Sequence, residues 1–283
     1  MKNLKLVDGT EIPSLGMGTW YLGEGYRTSI EEEQALCAGI DAGLSLIDTA
    51  EMYGDGKAEE LVGRVIQQRS RKAVYLVSKV YPHNAGKNRI FKACDASLSR
   101  LGVAQLDLYL LHWRGSVPLQ ETVDCMQELV KRGKIARWGV SNFDVDDMKE
   151  LLACRGGAGC TVNQVLYHLG SRGVEFSLAP LLRSKGIALM AYCPLAQAGR
   201  LQERLLTSPT VVEIARQNEL SPIQVLLAFV LAQENVLAIP RSGNPSHMLQ
   251  NAQLAQKALP AADIQRLAEV FPAPKYKVPL DME

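Results

Sequence analysis

Nothing in these 283 residues offers a Cys-x-x-Cys pair, a run of basic side chains, a long apolar stretch, or the glycine at position 21 that would complete a Gly-x-Gly-x-x-Gly motif with Gly16 and Gly18. Each absence removes a class of protein. The six cysteines, at 37, 94, 125, 154, 160 and 193, stand apart in apolar segments, as small hydrophobic residues kept reduced do, so neither a disulfide nor a structural zinc is expected. Lys and Arg total 31 against 30 Asp and Glu, a net charge of +1 with both signs interspersed. Such a chain has no basic stripe to follow a phosphate backbone, and no nucleic-acid partner is expected. Met1 to Thr10 lacks the apolar core of a signal peptide, and the greasiest segment, Val225 to Ala232, is far too short to span a bilayer. The expectation is a cytoplasmic protein without membrane association. Tyr21 stands where a Gly-x-Gly-x-x-Gly fingerprint needs its third glycine, so any nicotinamide cofactor must bind without a Rossmann fold.

What is present is a repeating order of amphipathic helix, glycine, apolar strand and polar residues. Ala42-Gly43 leads into Leu44–Ala50, Leu101-Gly102 into Val103–His112, Arg132-Gly133 into Lys134–Asn142, and Lys185-Gly186 into Ile187–Pro194. A glycine just past a helix supplies the left-handed C′ residue. Helical faces are expected at Leu36, Ile40 and Leu44, at Ile90, Cys94, Leu98 and Leu101, and at Val123, Met126 and Val130. The strands are continuously apolar, as burial on both faces of a parallel sheet requires. They are read at Ser14–Thr19, Leu44–Thr49, Val74–Lys79, Leu106–His112, Arg137–Ser141, Thr161–Val165, Ala188–Tyr192 and Val236–Ile239. Eight such strands predict an α/β protein, a (β/α)8 TIM barrel spanning 1–283 as one domain. An N-terminal β-hairpin around Asp8-Gly9, within Leu4–Ile12, is expected to plug the barrel floor. Extra helices are read at Thr210–Asn218 and Pro222–Gln233 before the last strand, and at Pro245–Gln256 and Ala261–Val270 after it.

Barrel active sites lie at the C-terminal strand ends, which is where Asp48, Lys79 and His112 fall, with Tyr53 five residues past Asp48. A free phenol, with a pKa of about 10, holds its proton too tightly for fast transfer at neutral pH. An ammonium at Lys79 would lower it, a carboxylate at Asp48 would hold that ammonium charged, and His112 could orient a substrate oxygen. Each residue also has a plain alternative: a half-buried tyrosine ring, a structural ion pair, a satisfied core imidazole. Their joint arrival at three consecutive strand ends favours the chemical reading.

Here the chain resembles the aldo-keto reductase family, in appearance most like bacterial members that reduce methylglyoxal. The resemblance rests on Gly16–Trp20, Ile47–Gly54, Val77-Ser78-Lys79, Leu110–Trp113, Trp138–Phe143, Asn163-Gln164, Ala191–Leu195 and Ile239–Ser242. It implies NADPH-dependent reduction of small aldehydes and ketones, such as methylglyoxal, to alcohols by hydride transfer, with Asp48, Tyr53, Lys79 and His112 as the catalytic set and Tyr53 as general acid. For the cofactor it implies Tyr192 stacking on the nicotinamide, with Ser141, Asn142 and Gln164 bonding its carboxamide. Gly18, Thr19 and Asp48 would line the same end, Pro194 and Leu195 the pyrophosphate, and Arg241, Ser242, His247 and Asn251 the adenosine phosphate. Ser141-Asn142 also reads as a helix cap, and both roles could hold. Trp20 and Trp113, with His112, would bound the substrate.

Three departures from the family pattern carry expectations. His247 replaces a firmer cation, leaving Arg241 as the one permanent charge at the 2′-phosphate, so NADH is expected to bind, but more weakly than NADPH. Cys193 replaces a serine and reads as a small buried residue. Gly54–Glu59 differs from the usual pattern, and no function is attached to it. The tail from Pro272 to Glu283 is short, so the site is expected to be open and loosely selective, and the protein to act on a small carbonyl substrate as a monomer. Two rivals remain. A metal-dependent hydrolase would use Asp48 and His112 but lacks a His-x-His, and only His168 among the other histidines lies near a strand end, so no metal is expected. A nucleotide-reporting protein that turns over slowly is opposed by the intact set of four.

Overall fold

The computed structural model describes residues 3–283; Met1 and Lys2 of the N-terminal segment lie outside the described residues. Two short strands, β1 (Asn3–Lys5) and β2 (Glu11–Pro13), form an antiparallel hairpin with Leu4 opposite Ile12. Eight parallel strands follow: β3 (Gly16–Gly18), β4 (Leu46–Asp48), β5 (Tyr75–Val80), β6 (Leu106–Leu111), β7 (Ile135–Ser141), β8 (Cys160–Leu166), β9 (Ala188–Tyr192) and β10 (Val236–Ala238). Each pairs with the next in chain order, and bridges from Leu15 to Ala238 and from Gly18 to Arg241 close the ring. The expected (β/α)8 barrel is therefore present, with strands displaced from the expected bounds by a residue or two.

The wall carries two apolar layers. Inward residues, among them Leu46, Val77, Leu108, Leu110, Val162, Met190 and Leu237, pack as one cluster with Leu6 and Ile12 of the hairpin. The hairpin is thus the floor plug anticipated from Asp8-Gly9, and Arg137 at the start of β7 grips it by an ion pair to Asp8 at 2.5 Å. Outward residues meet the helices α1 (Ser29–Asp41), α2 (Lys57–Arg69), α3 (Ile90–Leu101), α4 (Leu119–Lys131), α5 (Val145–Ala153) and α6 (Leu178–Ser184) in a second, larger core. Close approach in the wall needs glycine at 139: a Cβ there would stand 2.4 Å from the Val162 carbonyl oxygen, at the point where the β7–β8 register shifts.

Some expected details differ. Gly43, Gly102, Gly133 and Gly186 do adopt the positive φ of a helix stop. Leu44 lies beyond α1, since the helix ends at Asp41 and that glycine follows, and Leu129 rather than Val130 faces inward from α4, Val130 being exposed. Between β9 and β10 there are three helices instead of two: α7 (Arg200–Leu206), α8 (Pro209–Gln217) and α9 (Pro222–Leu231). α7 is a short element opened by Gly199 without a side-chain cap, which is why periodicity missed it. α10 (Pro245–Gln253) and α11 (Ala261–Val270) complete the chain. No helix among the described residues is long and apolar enough to cross a membrane.

Candidate active site

Register places the site. Gly18 pairs with Asp48, Asp48 with Val77, and Lys79 stands two residues beyond Val77, on the same face and one step nearer the mouth. The Lys79 ammonium, fully buried, donates to Asp48 Oδ2 at 2.7 Å, to the Thr49 carbonyl at 2.8 Å and to Tyr53 Oη at 3.0 Å. Gln164 Nε2 donates to the other Asp48 oxygen at 2.8 Å. Every proton of Lys79 is accounted for, and Tyr53 Oη is an acceptor in its bond to Lys79. Among the described residues the Tyr53 hydroxyl has no acceptor of its own, so its proton is free for a group in the cavity.

Tyr53 is held there by a tight backbone turn. After β4 the chain makes a tight turn over Tyr53–Gly56 in which Gly54, Asp55 and Gly56 all take positive φ, and α2 starts at once. The first turn of α2 carries Glu59, fully buried, which accepts from Ser78 Oγ at 2.6 Å and from Arg100 Nε at 2.6 Å. Ser78 precedes Lys79 on β5. The segment 54–59, to which the sequence attached no function, is therefore the tether that fixes the phenol relative to the ammonium. Positive φ at Tyr21, Asn142, Cys193 and Ala196 shows strain concentrated around the same mouth.

Electrostatics correct one expectation. The Tyr53 phenol is pushed well above its ordinary value of 10.0, first by burial and then by the Asp48 charge, rather than lowered. Burial also raises the Asp48 carboxyl and lowers the Lys79 ammonium, each opposed by the other's charge. His112 is driven from 6.5 to about 2 by burial and by Lys79, so its ring is neutral and offers one N–H. Its Nδ1 is buried without a hydrogen-bond partner, and its ring meets the edge of Tyr53 with centroids 5.7 Å apart. The group is a protonated phenol backed by a cation, beside a neutral imidazole: a proton donor with a second hydrogen-bond donor alongside.

A cavity of about 430 Å³ opens above it, lined by Gly18, Trp20, Asp48, Tyr53, His112, Trp113, Ser141, Asn142, Gln164, Tyr192, Pro194, Leu195 and Arg241, all of which the sequence reading had named. Tyr192 donates to Asn142 Oδ1 at 3.0 Å, Asn142 Nδ2 to the His112 carbonyl at 3.3 Å, and Ser141 Oγ to the Gln164 carbonyl at 2.9 Å. Ser141 and Asn142 do not cap a helix, because Asp144 caps α5 in a capping box with Asp147. Thr19 lies behind the wall, its hydroxyl donating to the Asp48 carbonyl at 3.0 Å. Ser242 and His247 stand together outside the cavity, Oγ to Nδ1 at 3.5 Å, and Asn251 is buried on α10 away from it. Cys193 is a cavity wall rather than a buried filler; burial pushes its thiol up to about 11.

The tail reaches the rim of the mouth. Lys277 pairs with Asp144, Ser171 Oγ donates to Asp281, and the Glu283 amide reaches Tyr192 Oη at 3.4 Å, so that Glu283 lines the cavity. Tyr21, Met52, Gln197 and Gln202 were also missed as lining residues. Tyr21 was findable beside Trp20. Gln202 was not, since it sits on the unread α7. Among the described residues no group of three or more His, Cys, Asp or Glu is placed to hold a metal ion, and Asp48 is already engaged by Lys79 and Gln164.

Residues 14–271 match a family model described as the Aldo/keto reductase family. The chain is 50% identical over 281 residues to the methylglyoxal reductase YeaE of Escherichia coli (strain K12), covering 99% of both, and 34% identical over 266 residues to the glyoxal reductase of Bacillus subtilis (strain 168), covering 93% of this chain and 91% of that one. Among solved structures, an aldo/keto reductase from Klebsiella pneumoniae in complex with NADP and acetate superposes with a TM-score of 0.96 at 47% identity, over 100% of this chain and 99% of that chain. The same identity and TM-score hold for an aldo-keto reductase of that organism in complex with NADPH.

Proposed function

Since the chain belongs to the aldo/keto reductase family, we propose that it reduces small aldehydes and ketones, methylglyoxal among them, with NADPH, and that Tyr53 delivers the proton. The observation that carries the reading is the Tyr53 hydroxyl, bonded as acceptor to Lys79 and with its own proton free toward the cavity. The residues present suit the cofactor. A half-buried ring at Tyr192, polar groups at Ser141, Asn142 and Gln164, and an exposed Arg241 make a stacking surface, a hydrogen-bonding edge and a phosphate partner. When bound, NADPH supplies the hydride.

The chain's own contribution is positioning and proton delivery. Trp20, Trp113 and His112 bound an apolar chamber that admits a small carbonyl and limits water. The neutral His112 N–H and the Tyr53 hydroxyl both donate to the substrate oxygen, His112 orienting it and Tyr53 giving up its proton as negative charge develops there. The raised phenol does not oppose this. An alkoxide is a far stronger base than a carboxylate or water, and the phenolate left behind gains Lys79 Nζ at 3.0 Å as counter-charge. Asp48 keeps Lys79 charged through the turnover.

The test is NADPH oxidation with methylglyoxal as substrate, for the parent and Tyr53→Phe. The variant keeps the ring and removes the proton, so turnover is expected to fall by roughly 10²- to 10⁴-fold with cofactor affinity little changed. Near-parental turnover would remove Tyr53 from the mechanism, and absence of NADPH oxidation in the parent with any small aldehyde would reject the activity itself.

A further inference from the structure

The adenosine end of the site looks under-charged when read along one loop, because Arg241 is followed by Ser242, Gly243, Asn244 and, after two more residues, His247 in place of a permanent cation. The hydrogen-bond donors at the start of α10 are largely committed as well. Asn244 N donates to Ser242 Oγ at 3.0 Å, Ser246 N donates to the capping Asn244 Oδ1 at 2.9 Å, and Pro245 has no N–H. A second permanent charge would have to come from another element.

The loop between β3 and α1 brings one. Tyr21 stacks on Trp20 with centroids 4.6 Å apart and meets Tyr26 edge-on at 5.7 Å, while the Arg241 guanidinium lies 5.6 Å above the Tyr21 ring. Gly23 N is tied to the buried Glu32 carboxylate at 2.8 Å. This folded loop lays Arg27 across the other strand-end turn, where a Cβ added to Gly243 would stand 3.0 Å from Arg27 Cδ. A side chain at 243 would make the Arg27 stem shift by a few tenths of an ångström. Both guanidiniums are exposed, and among the described residues neither Arg27 nor Arg241 forms an ion pair with a carboxylate. Glu31, four residues on, feels the Arg27 charge, but its carboxylate is hydrogen-bonded by the Thr28 amide and hydroxyl. Two arginines without an ion pair thus reach this turn from different loops, Arg27 by its stem against Gly243 and Arg241 from the residue before Ser242, and a pair of guanidiniums suits a dianion.

We propose that Arg27 is the second cation of the subsite that reads the 2′-phosphate of NADPH, acting beside Arg241 across the Ser242-Gly243 turn. The assignment rests on the NADPH reading above and adds to it a residue from outside the β10–α10 loop. It also accounts for a chain that dispenses with a cation at 247.

The experiment is a titration of NADPH and of NADH against the parent, Arg27→Ala, Arg27→Lys and Arg241→Ala, followed by quenching of the protein's tryptophan fluorescence. Contacts at exposed sites are screened, so Arg27→Ala is expected to raise the NADPH Kd roughly three- to tenfold while the NADH Kd stays within about twofold. Arg27→Lys should recover part of the loss, and 0.5 M salt should shrink the gap between the parent and Arg27→Ala for NADPH alone. If Arg241→Ala weakens NADPH selectively but Arg27→Ala does not, or if Arg27→Ala weakens both cofactors equally, the role of Arg27 is overturned and the cofactor reading stands. If the parent binds the two cofactors equally, the cofactor reading fails and this assignment fails with it.

Discussion

Lys79 is fully buried, and its charge is compensated by Asp48 Oδ2, the Thr49 carbonyl and Tyr53 Oη around it. Removing one member of such a buried pair leaves the other uncompensated, which typically costs about 3–5 kcal/mol. Lys79→Met is therefore expected to lower stability by about that amount, read as a shift in the urea midpoint. It is also expected to impair reduction with a changed pH profile, because the phenolate formed at Tyr53 loses its counter-charge. A pH profile superimposable on the parent's, in folded protein, would show that the ammonium tunes nothing. At this scale the sequence showed which residue types converge, and it misjudged their state. Lys79 alone suggests a lowered phenol, but burial of Tyr53 and the nearby Asp48 outweigh it, and neither effect can be read from spacing.

Elements were legible where local chemistry marks them. The four glycine helix stops carry the positive φ that only glycine adopts freely, and the hairpin followed from Asp8-Gly9 between apolar residues. That hairpin belongs to the core: Ile12 is fully buried against inward residues of the barrel wall. Ile12→Ala is expected to cost about 2–5 kcal/mol, since the rigid barrel floor cannot collapse onto the space. Chemical denaturation measures it, and a loss under about 1 kcal/mol would mean that the hairpin is a loose appendage. Short α7 and the ordered tail from Lys277 to Glu283 escaped the reading for a shared reason. Each is fixed by contacts distant in sequence, such as Lys277 with Asp144 and Ser171 with Asp281, rather than by its own periodicity.

Across the whole molecule, buried histidines set an acid limit. His112 at about 2 and His168 at about 4 both lie below the ordinary 6.5, so the fold favours the neutral ring and the unfolded chain binds more protons below that value. The stability they confer is complete above 6.5 and is lost as pH falls toward the folded values, with Asp48, whose pKa is raised, acting in the opposite sense. His168 alone accounts for at most about 3 kcal/mol over its range. Urea midpoints should therefore fall between pH 7 and pH 5, and fall less in His168→Asn, whose Oδ1 can accept the hydrogen bond that the Gly170 N–H now donates to Nδ1 at 3.0 Å. Equal losses in the two proteins would show that His168 does not titrate with folding. The sequence by itself determined the barrel, its order, the floor hairpin and the four residues at the strand ends, because hydrophobic period, glycine stops and the parallel register are local or repeat at fixed intervals. Only the tertiary structure decided the charge state of Tyr53 and His112, the role of Glu59 under the phenol, the tail against the mouth and the approach of Arg27 to Gly243. Those depend on burial and on contacts between residues far apart in the chain, and desolvation and Coulomb forces act through space without regard to sequence distance.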